Sequence, residues 1–73
     1  MNRKMKAARM EKGLSQEALA QQIGVSRQTI VLIEKEAYNP SLSICINICK
    51  ALDRTLNDLF WSTHEREGFN ENF

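Results

Sequence analysis

Arg27 and Gln28 stand side by side near the middle of a 73-residue chain, and both side-chain types read base edges. A guanidinium can bond guanine bidentately, and a carboxamide can bond adenine. They open the run RQTIVLIE, with Ser26 just before it where an N-cap belongs. At about 100° per residue, Ile30 and Ile33 turn inward, which leaves Gln28, Val31, Leu32 and Lys35 turned outward. Val31 and Leu32 are aliphatic residues on the outer face of a short helix. They either contact thymine methyls in a groove or pack on a neighbouring helix or subunit. Thr29, in the same first turn, is a candidate phosphate contact.

The stretch just upstream must hold that helix. Leu19, Ala20 and Ile23 fall at i, i+1 and i+4 on one helical face. Gly24 can take the positive φ of a tight turn, and the apolar Val25 is expected to tuck under it. Ala20 sits where the second segment crosses, and its small side chain lets two helices approach closely. The pattern is a helix-turn-helix. Ser15 caps the first of the two helices, expected from Gln16 to about Gln22. Gln16 stands at an N-terminus whose N–H groups and macrodipole favour a phosphate; the alternative is an ordinary polar first-turn residue.

Three stretches, GLSQEALA from Gly13, GVSRQTI from Gly24 and YNPSL from Tyr38, resemble the Cro/cI-type (XRE) family of bacterial and phage repressors. The likeness runs from about Met5 to Trp61, with several motifs in the right order and separation. The short, tail-ended form is similar to small one-domain regulators of Gram-positive bacteria. The resemblance implies an all-α fold, a compact five-helix bundle of the lambda-repressor-like DNA-binding domain type with a short C-terminal tail. Residues 1–61 would form the helix-turn-helix domain and residues 62–73 a polar, acidic tail. It also implies that Arg9 pairs with Glu34, tying the first helix to the end of the third. Glu34 lies on the inward side of its helix and by itself asks for a partner. Gln16 gains a phosphate contact by the same resemblance. In related proteins the loop after the third helix lies along the DNA backbone, which makes Lys35, Tyr38 and Asn39 candidate phosphate donors. Tyr38 could instead pack only against its own domain.

Length leaves room for one domain with one modest core. With 42% hydrophobic residues, three Gly and one Pro, the chain should be mostly helical. No apolar run is long enough to span a membrane. The opening MNRKMKAARMEK has basic residues but no apolar stretch behind them, so it does not read as a signal peptide. The expected location is the cytoplasm. Net charge is only +1, but it is divided unevenly: residues 1–54 hold nine Lys/Arg against five Asp/Glu, and residues 55–73 hold one against four. A basic patch, rather than global charge, is what phosphate binding requires.

The remaining elements follow in order. Residues 2–12 read as a first helix with Met5 and Ala8 facing the core and Arg3, Lys4, Lys6 and Lys12 wet. Lys4 and Lys6 either attract DNA or form a solvated face. Gly13 suits the position that ends this helix. Pro40 forbids helix before it, and Ser41 can cap the next. Residues 42–52 read as the central core helix, apolar at Leu42, Cys45, Ile46, Cys49 and Leu52, with Ile44 and Ile48 broadening the stripe. Asp53 stands where the family often has Gly. Thr55 and Asp58 resemble a capping box, ahead of a short fifth helix with Leu56, Leu59, Phe60 and Trp61. Cys45 and Cys49 share a helix face. Without a second thiol pair, and with the sole His64 in the tail, they read as small buried hydrophobes, with redox sensing as the other reading. A disulfide between them would fit helix geometry poorly. Phe60, Trp61 and Phe69 give more aromatic surface than a small monomer needs, and are the candidate dimer interface. The tail either adds as an extended piece to a partner subunit or frays.

The expected function is a sequence-specific double-stranded-DNA-binding transcriptional regulator, a repressor acting as a homodimer on an inverted repeat. No cofactor, metal or small-molecule ligand is expected. Two other readings stand beside it. One is an antitoxin-like protein that neutralises a partner and regulates itself through DNA. The other is an interaction module with the fold but no DNA binding. An enzyme is not expected, since His64 has no nucleophile or metal partner near it in sequence.

Overall fold

The computed structural model describes residues 1–61, which form five helices: α1 (Arg3–Glu11), α2 (Gln16–Ile23), α3 (Arg27–Glu34), α4 (Leu42–Leu52) and α5 (Leu56–Leu59). Each starts on a residue whose side-chain oxygen accepts an orphan N–H of the first turn. Asn2, Ser15, Ser26, Ser41 and Thr55 serve α1 to α5 in that order. At α5 the cap is reciprocal, since Asp58 also accepts from the Thr55 backbone N–H, completing the expected capping box.

The first four helices all stop on a left-handed residue. Gly13 and Gly24 take φ of 71° and 78°, while Glu36 and Asp53 take 61° and 60°. The amides that follow fold back on the last turn: Leu14 donates to Arg9, Val25 to Ala20, Ala37 to Leu32 and Arg54 to Cys49. Two of these stops thus use an acidic residue where glycine would be unstrained.

The core is drawn from every helix: Met5 and Ala8, Leu19 and Ala20, Ile30 and Ile33, Ile48, Cys49 and Leu52, and Leu59. Leu14, Ile23, Val25, Ile44, Ala51, Leu56 and Phe60 pack around it. Tucking of Val25 and the close α2–α3 crossing at Ala20, 2% exposed, agree with the sequence reading.

Three expectations need correction. The first helix begins after Asn2, which is its cap. On α4, Ile48 is fully buried, whereas Leu42 is 61% and Ile46 36% exposed. The inward stripe runs through Ile48, Cys49 and Leu52, and Leu42 and Ile46, one turn apart, lie on its flank. Finally, α5 ends at Leu59, with Phe60 as its cap and Trp61 beyond it. Among the described residues no helix is long and apolar enough to cross a membrane.

Candidate nucleic-acid interface

Glu34, at the last turn of α3, holds three elements in register. Arg9 Nε donates to its Oε2 at 2.7 Å and Arg9 Nη2 to its Oε1 at 3.4 Å. The remaining guanidinium edge, Nη1, donates to the Leu14 carbonyl at 2.9 Å in the α1–α2 connection. Gln16, the first residue of α2, donates its Nε2 to Glu34 Oε1 at 3.2 Å. Arg9 and Glu34 are both buried, at 8% and 2% exposure, and no buried side-chain N or O among the described residues lacks a partner. A buried ion pair survives desolvation only when its remaining hydrogen-bonding positions are filled, and here they are. The expected Arg9–Glu34 pair is present.

This junction fixes one end of α3 and leaves the other end free. Arg27 and Gln28 in its first turn are exposed, as is Lys35 just past its last turn. Val31 and Leu32 are half-buried, so each keeps some outward surface while resting partly on its own domain. Thr29 is also half-buried, with its hydroxyl 3.0 Å from Ser26 Oγ, the same oxygen that caps its backbone N–H. The outward ridge of α3 is therefore cationic and polar at its start, aliphatic in the middle and cationic again at its end.

Charge pairing sharpens this. Among the described residues, Glu11 pairs with Arg54, Glu34 with Arg9, Glu36 with the Met1 amino group and Asp53 with Lys12. Arg27 and Lys35 make no ion pair there, so their charge is available to a polyanion. Tyr38, 43% exposed, and the exposed Asn39 border a surface cavity of about 270 Å³ with Asn2, Ile33, Glu36, Pro40 and Phe60. Lys35, Tyr38 and Asn39 thus present polar groups on the connection that leaves α3.

Two residues escaped the sequence reading. Gln16, expected as a phosphate contact or an ordinary polar first-turn residue, is in addition half-buried and bonded to Glu34. Nothing local in the sequence signals a bond across eighteen residues. Asn2, which the sequence pattern places inside the first helix, is its cap, and asparagine directly before a helical run is a usable cap signal.

The two cysteines are free, Cys45 half-buried and Cys49 buried. Burial pushes both thiols above their ordinary value, and the neighbouring Cys45 adds to the effect at Cys49. Among the described residues no three His, Cys, Asp or Glu side chains gather as a metal site would require. Phe60 is half-buried and Trp61 47% exposed, while Phe69 and His64 lie outside the described residues.

Comparison with known proteins agrees with this geometry. A family model described as helix-turn-helix matches residues 5–59. The chain is similar to the uncharacterized HTH-type transcriptional regulator YgzD of Bacillus subtilis, with 45% identity over 65 residues, covering 89% of this chain and 98% of that protein. It is similar to the uncharacterized HTH-type transcriptional regulator MJ0272 of Methanocaldococcus jannaschii, with 45% identity over 60 residues, covering 82% and 91%. Among solved structures, the hypothetical transcription factor NHTF from Neisseria superposes with a TM-score of 0.74 at 32% identity, covering 90% of this chain and 76% of that one. With its α2–turn–α3 unit locked at Glu34 and the start of α3 left open, the chain belongs to the XRE-type helix-turn-helix family and is a DNA-binding transcriptional regulator.

Proposed function

We propose that this regulator is a repressor that reads an inverted-repeat operator as a homodimer, with α3 of each subunit in a major groove. Arg27 and Gln28 contact base edges, and Val31 and Leu32 contact thymine methyls. Gln16, Thr29, Lys35, Tyr38 and Asn39 contact phosphates and set the register. Residues 1–61 carry this reading unit. The two subunits meet through the α4–α5 side, where Phe60 and Trp61 lie; Phe69 and the rest of the tail fall outside the described residues.

The observation that carries the reading is the state of Arg27 and Gln28: both are exposed in the first turn of α3, and Arg27 makes no ion pair among the described residues. Side chains with a folding role would be packed or paired. The exposed Leu42, Ile46 and Trp61 support a second apolar contact elsewhere on the surface.

The test is selection of duplexes from a random pool, followed by a salt titration on the winner. Two half-sites in inverted orientation, about 10 bp apart, with affinity falling steeply in salt, are the expected result. A pool with no enriched sequence would favour a protein partner as the main ligand, as in the antitoxin-like or interaction-module readings.

A further inference from the structure

Besides the ordinary helical bond from the Lys6 N–H to its carbonyl, Asn2 makes three hydrogen bonds, each to a different helix. Its Oδ1 accepts the Met5 N–H at 3.0 Å and caps α1. Its Nδ2 donates to the Leu59 carbonyl at 2.8 Å, at the end of α5, across 57 residues of sequence. Its backbone N–H donates to the Glu34 carbonyl at 2.7 Å, at the end of α3. One small side chain and its own amide thus tie the start of α1, the end of the base-reading helix and the end of the helix that precedes Phe60 and Trp61.

We infer that Asn2 is a positioning residue for DNA recognition: it fixes the angle between α3 and the α5 surface, and through that angle the separation of half-sites that two subunits can span. The inference rests on the homodimer reading above. In a two-fold dimer each subunit contributes the same junction, so a small change of angle between α3 and the shared surface is applied twice. The groove repeat allows little error: successive major grooves on one face lie about 34 Å apart. Arg9 and Glu34 hold α3 against α1 and α2, but neither reaches α5. Of the side-chain hydrogen bonds among the described residues, the Asn2 Nδ2 bond is the one that reaches that helix from outside its own capping turn.

Asn2→Asp separates the roles. Its carboxylate still caps α1, yet it cannot donate to the Leu59 carbonyl. Asn2→Ser is the second variant; its hydroxyl caps the helix but is too short to reach α5. Both are compared with the wild type in duplex selection, on a single half-site, and by thermal melting with circular dichroism to confirm folding. The expected result is single half-site affinity within about twofold of wild type, and a loss of about tenfold on the full operator, because the same misalignment of α3 is applied in both subunits of the two-fold dimer. The selected pool should also show a broadened range of half-site spacings. Folded variants that keep the wild-type spacing and full-operator affinity would overturn the inference and leave the dimer reading standing. A wild type that selects only isolated half-sites would overturn the dimer reading and the inference with it.

Discussion

Gln16 donates its side-chain amide to Glu34 Oε1 at 3.2 Å, so the residue at the head of α2 is steadied by the tail of α3. The carboxylate that accepts this bond is already engaged by Arg9. One buried anion therefore aligns the two helices of the motif, and Gln16, the first residue of α2, keeps a second amide N–H that a phosphate at that N-terminus can accept.

Removing that anion should be severe. Glu34→Ala leaves the buried Arg9 guanidinium without its counter-charge, with an expected cost of about 3–5 kcal/mol. A domain of this size has only about 4–10 kcal/mol in total. Urea unfolding monitored by circular dichroism should show a large drop in midpoint. The double change Arg9→Met with Glu34→Leu should recover much of it, because no lone charge remains. A Glu34→Ala protein as stable as wild type would mean that water or rearrangement already solvates Arg9.

Gln16→Ala should be milder for folding, about 1 kcal/mol, because Arg9 still holds Glu34. Its effect on DNA should be a similar loss of affinity for every sequence, since phosphate contacts carry no base information. Binding measured on the selected operator and on scrambled duplex would reveal it. A changed sequence preference would show that Gln16 touches bases.

Asp53 ends α4 at φ 60°, where a side chain is strained and glycine is not. Asp53→Gly relieves that strain but loses the exposed pair with Lys12 at 3.3 Å, which is worth little. The expected balance is a gain of up to about 1 kcal/mol, read as a raised urea midpoint with an unchanged slope. A valine at the same position should lower it.

The pH dependence has a sign at each end. The Thr55 backbone N–H, and then its side chain, hold the Asp58 carboxyl below its ordinary 3.8. A depressed carboxylate contributes stability above its unfolded value and loses it as pH falls through the folded one. Asp58→Asn should therefore flatten the acid limb of a stability-versus-pH curve below about pH 4. At the other end, burial raises both thiols above 9.0, so the unfolded chain releases their protons first and stability falls as pH rises past that value. Cys45→Ala with Cys49→Ala should lessen this alkaline slope. An alkaline slope unchanged by that double substitution would place its origin in other groups.

Much of this architecture was legible because its signals are local. Ser15, Ser26, Ser41 and Thr55 announce helix starts, Gly13 and Gly24 announce stops, and the apolar spacing around Ile30 and Ile33 gives the inward face of α3. The exposed Arg27 and Gln28 follow from that same face. What stayed hidden depends on distance through space. The Gln16–Glu34 and Asn2–Leu59 bonds join residues 18 and 57 apart, and no periodicity reports them. Leu42 and Ile46 are exposed against expectation for a related reason: α4 is apolar over so much of its circumference that pattern alone cannot decide which flank the other helices cover. Ile48, one of two residues expected only to broaden the stripe, proved its fully buried centre.

The central claim is that the first turn of α3 reads bases, and duplex selection repeated with Arg27→Ala and Gln28→Ala tests it most directly. Each variant should lose discrimination at one base-pair position in each half-site, worth about 1–3 kcal/mol there, while the other positions persist. Consensus sequences identical to that of the wild type for both variants would contradict the claim and remove the first turn of α3 from sequence recognition.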